Sequence, residues 1–320
     1  MGGHPGVRPS LGDLLKIVDI RTKIVSVSSL LVGSGWALAT SPERFSWTLF
    51  GLMALATLLI DMGTTGFNSY FDFVTGVDTR ESDQERFKAL VQREIDPRVA
   101  LQLSFSLYLA AMPLGIAIGA RAGWGVVAAG AFCMVFAWFY SGGPHPISRS
   151  PVGEFFAGGL LGGVLVVVAA FVHTQRLDAA TILVGLPSSL IIAGILSTNN
   201  ACDRVGDARA GRRTLAIVLG PDRSHLPVFV LVGAAYAAVA LLAALRVAPP
   251  WAFLPMVVSA VHAWRTLAAM KARGWSHATK APNMGGISLV FIVFTVCLLA
   301  SFALAGHRSA ITPATIAAAT

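Results

Sequence analysis

Nine runs of apolar residues, each about as long as a bilayer is thick, leave this chain few folds to adopt. They lie at 24–39, 45–67, 99–120, 124–140, 152–173, 179–198, 226–245, 251–270 and 284–305. An α-helix rises about 1.5 Å per residue, so roughly 20 residues cross the hydrocarbon layer. Inside lipid every backbone N–H and C=O needs a partner within the protein, which restricts spanning segments to helices and closed barrels. Continuous apolar runs of this length read as helices, and the mean hydropathy of +0.70 agrees. The expected fold class is therefore all-α, a polytopic membrane protein with nine transmembrane helices. Residues 1–23 read as a polar N-terminal arm with an interfacial helix around 11–20, residues 24–306 as the transmembrane domain, and residues 307–320 as a disordered tail.

A net charge of +8 would suit nucleic acid if the basic side chains formed a patch, but they follow the spans instead. With the N-terminus inside, nineteen of the 24 Lys and Arg residues fall on the arm and the even-numbered loops. Only Arg44, Arg121, Arg176, Arg246 and Arg308 fall on the other side. The positive-inside rule then places the arm and the basic loops in the cytosol of a cell membrane. Topology accounts for the basicity, and no nucleic-acid partner is needed. Cys133, Cys202 and Cys297 are scattered, with no spacing for a disulfide framework or zinc site. Nothing in the sequence points to an obligate protein partner.

Two polar stretches close apolar runs on the same inner side. At 199–207, Asp203 and Asp207 are four apart and share a helical face with Asn200. Carboxylates and an amide on one wall are hard oxygen ligands, suited to Mg²⁺ carrying phosphate. The plainer alternative is a helix end whose acids pair with Arg204, Arg209, Arg212 and Arg213. At 68–79, Asn68 and Asp72 share a face; Gly76 is expected to break the helix and leave Asp78 on an acidic loop with Glu81, Asp83 and Glu85. Two such clusters facing one another would hold metal ions bridging a diphosphate, with Lys88, Arg93, Arg212 and Arg213 neutralising the remaining charge. A diphosphate at the mouth of an apolar bundle suggests a prenyl diphosphate, whose tail needs a greasy channel. Phe132, Phe136, Trp138, Phe155 and Phe156 are candidates to line it.

These residues carry a resemblance. The chain resembles the UbiA superfamily of intramembrane prenyltransferases, and within it the 1,4-dihydroxy-2-naphthoate polyprenyltransferases of menaquinone synthesis. Residues 68–79 match that branch's N-D-Y-x-D-x-x-x-G-x-D-T except at Ser69, where the family usually has Asp. Residues 199–215 match N-N-x-x-D-x-x-x-D-x-x-x-G-[KR]-x-T-L throughout, and 140–146 with Gly153-Glu154 resemble Y-[TS]-G-G-P-x-P … G-E. The resemblance implies a helical bundle around a central cavity open to the cytosol, and Mg²⁺-dependent transfer of a prenyl group to an aromatic acceptor. It implies Asn68, Asp72 and Asp78 as the first metal–diphosphate site and Asp203 and Asp207 as the second. Lys88 and Arg213 would contact diphosphate, Asn200 would stand beside them, and Tyr140 would face the reacting carbon or the acceptor. Ser69 in place of a carboxylate would weaken metal binding, shift substrate preference, or act through a water.

One residue stands outside the family pattern. Asp61 lies inside the second run and forms an i, i+4, i+7, i+11 stripe with Thr65, Asn68 and Asp72. A carboxylate at that depth is a functional candidate, to orient the acceptor or take its proton; the alternative is a carboxylate paired with a neighbouring helix's hydroxyls, or protonated by burial. His145 or Arg149 are further candidates to orient an acidic acceptor. Rival functions are prenyl transfer to another aromatic acceptor, terpene cyclisation without an acceptor, and ion-coupled transport through Asp61. Transport calls for a polar site near the midplane, whereas most polar groups here collect at the inner ends.

Overall fold

The computed structural model describes residues 8–78 and 88–309. Residues 1–7, the acidic loop with Arg80, Glu81, Asp83, Glu85 and Arg86, and the tail from residue 310 lie outside the described residues. Among those described, nine helices are long and apolar enough to cross a membrane, and all of the expected spans are found.

The first helix, α1 (Leu11–Ile17), opens with a capping box in which Ser10 Oγ accepts the Asp13 N–H and the Asp13 carboxylate accepts the Ser10 N–H. It is three residues shorter than the interfacial helix expected at 11–20, because Asp19 turns the chain with φ 40°. A 3₁₀ turn at Ile20–Lys23 then leads straight into α2 (Ile24–Thr40). Next come α3 (Trp47–Val74), the short α4 (Ala89–Gln92), α5 (Pro97–Ala122) and α6 (Trp124–Ser141). Helix α7 (Gly153–Ala157) continues through a π-helical stretch, Gly158–Val164, into α8 (Leu165–Thr174). After it run α9 (Ala179–Arg209), α10 (Leu215–Leu219), α11 (Leu226–Ala244), α12 (Pro255–Arg273) and α13 (His277–Ser309).

Helices α2, α9 and α13 form the centre. Val32 and Trp36 of α2, Ile191 and Ile195 of α9, and Phe291, Phe294 and Phe302 of α13 share one buried apolar cluster with side chains of α8 and α11. A second cluster joins α2, α3, α5, α6 and α8. A third, at the polar end, packs Ile17 of α1 and Leu90 of α4 against Tyr70 and Phe73 of α3. Between lipid-solvated helices, close packing rather than hydrophobic burial drives association, which favours small residues at contacts. The π-helical stretch shows this: a Cβ on Gly158 would stand 2.3 Å from the Ser189 carbonyl oxygen, and one on Gly162 2.3 Å from Ser189 Cα. Two glycines thus seat α9 against the widened turn, which itself faces the interior.

Gly162→Val is expected to lower the thermal unfolding midpoint in detergent, with an overpacking cost of about 1–3 kcal/mol. Gly159→Ala, where a Cβ meets open space, should leave it unchanged or raise it slightly.

Candidate active site

Both polar motifs end in the same backbone device. Asp72 sits four residues before Gly76 (φ 70°), and Asp207 four before Gly211 (φ 73°). Glycine tolerates that left-handed conformation without a Cβ penalty. The chain then folds back, so that the Val77 N–H donates to the Asp72 carbonyl and the Arg212 N–H to the Asp207 carbonyl, each at 2.9 Å. Each carboxylate is thereby fixed in the last turn of a long transmembrane helix, α3 or α9, and each turn-back aims the following residues over the helix end.

What the second turn-back aims is Arg212. Its guanidinium reaches Asp72 Oδ1 at 2.9 Å with one nitrogen and Asp207 Oδ1 at 3.2 Å with the other. One cation therefore joins the carboxylates of two motifs 135 residues apart in the chain (207 against 72). Burial works against the Arg212 cation, but Asp72 and Asp207 outweigh it and hold its pKa above that of an ordinary arginine. Asp72 also accepts a 2.8 Å hydrogen bond from Asn68, whose own carbonyl accepts one from Ser141 at 3.0 Å.

These groups line a polar cavity of about 840 Å³ at one end of the bundle. Asp78 is in it, ion-paired to Lys88 at 2.7 Å. Asp203 is in it too, held by Lys280 at 2.6 Å and His277 at 3.2 Å. The sequence reading missed both partners, because the last apolar run begins at 284 whereas α13 begins at His277; its polar first turns are part of the cavity wall. Asn200 is buried and donates to Glu154 Oε1 at 2.8 Å. Glu154 was visible only within the Gly-Glu segment.

Deeper in, the cavity meets a second, apolar chamber of about 230 Å³. Four residues border both: Asp61, Thr64, Tyr140 and Leu161. Tyr140 thus stands at the throat. Asp61 faces the cavity and is also paired, with Lys23 at 2.7 Å and with the Ser26 hydroxyl at 2.6 Å. Lys23, expected at the end of a cytosolic arm, is 4% exposed inside the bundle.

Several expected contacts are corrected. Arg93 points to Asp13 at 3.7 Å and is half exposed. Arg213 is exposed, its N–H donating to the Arg149 carbonyl at 2.8 Å; as the residue after Arg212, it faces the other way. Neither lines the cavity, and His145 is exposed in the Gly-Pro loop. Ser69 faces away from the carboxylates and donates to the Ile17 carbonyl at the end of α1, at 2.8 Å. Of the five aromatic candidates only Phe156 lines the chamber. Trp138 packs edge-on against Phe67 and Phe71, and Phe132 and Phe155 are exposed on the outside of the bundle. The chamber walls are mostly apolar, and one side is built of small residues, Gly115, Ala129, Gly130, Cys133 and Ala137.

The donor set suits a hard divalent cation, since the motif oxygen ligands lining the cavity are the carboxylates Asp72, Asp78, Asp203 and Asp207 and the amides Asn68, Asn199 and Asn200, and Asp207 Oδ2 is buried without a hydrogen-bond partner. Among the described residues no three acids, histidines or cysteines converge on one point. A cation here would be held by one or two carboxylates and completed by phosphate oxygens, the usual manner for Mg²⁺.

Residues 26–287 match the UbiA prenyltransferase family. The chain belongs to that family. The 1,4-dihydroxy-2-naphthoate octaprenyltransferase of Bacillus subtilis is 32% identical over 248 residues, covering 77% of this chain and 79% of the relative. The enzyme of the same description from Mycobacterium tuberculosis is 27% identical over 240 residues, 75% and 80% of the two chains. The solved structure of a UbiA homolog from Archaeoglobus fulgidus, described as bound to DMAPP and Mg²⁺, superposes with a TM-score of 0.62 over 90% of this chain and 99% of that one. At 16% identity this likeness speaks to the fold. As a UbiA-family protein the chain is a membrane-embedded prenyltransferase, and transport is set aside.

Arg212→Gln leaves Asp72 and Asp207 buried without their shared counter-charge, and should destabilise the protein by about 3 kcal/mol. Thermal unfolding in nanodiscs is expected to show this loss, and to show most of it restored when Asp72→Asn and Asp207→Asn are added.

Proposed function

We propose that this chain transfers a prenyl group from a polyprenyl diphosphate to 1,4-dihydroxy-2-naphthoate, with Mg²⁺, in menaquinone biosynthesis. The observation that carries the reading is the union of a carboxylate- and arginine-lined cavity with an apolar chamber where Asp61, Thr64, Tyr140 and Leu161 border both. The diphosphate belongs with Arg212, Lys88 and Lys280, and the isoprenoid tail with the apolar chamber beyond Tyr140. The acceptor is supported by the relatives' descriptions and by the likeness of three motifs to that branch, the first departing from it at Ser69. The asymmetry of basic residues supports a cavity open to the cytosol.

Asp72, Asp207 and Asp203, with Asn68 and Asp78 beside them, would hold the metal ions. Bound Mg²⁺ would supply Lewis-acid neutralisation of the departing diphosphate. Because Arg212 already bridges Asp72 and Asp207, an arriving diphosphate competes with both carboxylates for the guanidinium, which frees carboxylate oxygens as it binds. The allylic C–O bond then breaks and its electron pair leaves with the diphosphate, stabilised by Arg212 and Lys88 as pre-positioned cations. Tyr140 at the throat presents an aromatic face to the allylic cation. A ring carbon of the acceptor donates the π pair that forms the new C–C bond. Loss of CO₂ from that carbon returns an electron pair to the ring and restores aromaticity. A dry throat keeps water from intercepting the cation.

Protein in nanodiscs is to be incubated with radiolabelled geranylgeranyl diphosphate, with and without Mg²⁺ and 1,4-dihydroxy-2-naphthoate. A prenylated naphthol that requires both is the expected product. Label released as a hydrocarbon without acceptor would place the chain with terpene cyclases, and intact diphosphate under every condition would defeat the reading. Asp72→Asn and Asp207→Asn should each lower kcat by about 10²- to 10³-fold, the scale of losing one charge-stabilising group. Ser69→Ala, whose hydroxyl faces α1, should leave the Mg²⁺ dependence of turnover unchanged.

A further inference from the structure

We propose that Asp61, locked in place by Lys23, is the hydrogen-bond acceptor that orients the aromatic substrate in the throat. The inference rests on the reading above that the acceptor is a hydroxylated aromatic acid.

Asp61 lies eleven residues before Asp72 on the same helix, so it is about 16 Å deeper along the axis. All three ammonium protons of Lys23 have acceptors: Asp61 Oδ1 at 2.7 Å, the Asp61 carbonyl at 3.2 Å and Thr65 Oγ1 at 2.6 Å. Ser26 Oγ donates to the other carboxylate oxygen at 2.6 Å. Lys23 borders neither chamber, whereas Asp61 borders both. The lysine is therefore a positioning residue behind the carboxylate, and the carboxylate is what a substrate meets. Burying an ion pair costs several kcal/mol of desolvation that the pair seldom returns as stability, and at membrane depth such pairs attend function. Each carboxylate oxygen bonded by Lys23 or Ser26 keeps lone-pair capacity for one further donor.

That donor would be a ring hydroxyl, and a hydroxyl–carboxylate bond is among the stronger hydrogen bonds. It strengthens as alkylation withdraws electrons from the ring, so it favours the transition state over the bound substrate. The same negative charge repels an acceptor's own carboxylate and turns it toward Arg212 and Lys88. The carbon bearing that carboxylate then faces the diphosphate end, where the allylic carbon is released, and the remote hydroxyl faces Asp61.

The test uses full-length protein in nanodiscs, comparing wild type, Asp61→Asn and the double variant Lys23→Met/Asp61→Asn, which removes both charges together. The acceptors are 1,4-dihydroxy-2-naphthoate and 1-hydroxy-4-methoxy-2-naphthoate. Both variants should raise the KM for the dihydroxy acid by about 10- to 100-fold and leave the KM for geranylgeranyl diphosphate within about twofold. The methoxy compound, lacking the donor, should be used equally by wild type and variants. If wild type turns over and the acceptor KM does not move, the proposal falls and the function stands. Equal shifts for both substrates, or variants that do not fold by thermal unfolding, make the pair structural and overturn the proposal. A wild type inert with both acceptors overturns the functional reading, and this inference with it.

Discussion

The contact on which the rest of the site depends is the guanidinium of Arg212 between Asp72 and Asp207. Two carboxylates at neighbouring ends of transmembrane helices repel one another and lose hydration; a shared cation at about 3 Å from each removes both difficulties. Arginine suits this place better than lysine because its planar fork reaches two acceptors at once without giving up its charge. The backbone arranges it. Gly211 turns the chain at the end of α9, the Arg212 N–H folds back on the Asp207 carbonyl, and the side chain is delivered across the cavity to α3. The mirrored turn at Gly76 does the same for Asp78, which meets Lys88.

Depth along the bundle then sorts the chemistry. The charged groups gather where the helices end; among the described residues Asp61 is the charged side chain that borders both chambers, with Lys23 behind it. Beyond the throat the walls become apolar. That gradient is what a substrate with an anionic head and a hydrocarbon tail requires, and it follows from long helices whose charged residues lie mostly in their end turns. The π-helical stretch adds to it, since the widened turn brings Leu160, Leu161 and Val164 to the chamber wall while Gly158 and Gly162 let α9 approach.

Most of the fold was legible because a bilayer leaves a chain so few solutions: each run of apolar residues corresponds to a membrane-length helical segment, and the boundaries moved furthest where polar turns extend a helix, at the end of α3, the end of α9 and the start of α13. Motif membership was legible for the same reason that it is chemical, since Asn68 and Asp72 on α3, and Asp203 and Asp207 on α9, each sit four apart and so share a helical face. What could not be read was direction at chain reversals. Arg212 and Arg213 are neighbours, and only the turn geometry at Gly211 sends one inward and the other to solvent. Ser69 is one residue from Asn68 and was weighed as a lost metal ligand, yet a rotation of about 100° per residue carries it toward α1. The partners of Asp203 were hidden because His277 and Lys280 precede the apolar part of their helix. Lys23 was counted as one more cytosolic cation, since nothing local distinguishes a lysine at a membrane surface from one whose neighbour two helices on is Asp61.

Each of the four motif carboxylates already holds a cation: Asp72 and Asp207 share Arg212, Asp78 has Lys88, and Asp203 has Lys280. Those same cations are the groups suited to a diphosphate. On the proposed reading, diphosphate and carboxylate would compete for one set of positive charges, and each phosphate oxygen that captured a cation would leave a carboxylate oxygen free. The ion pairs keep the cavity close to electrostatic balance at the membrane edge, where an uncompensated cluster of acids would be costly. The arginine that joins the two carboxylates would then also be the one that yields them to the reaction.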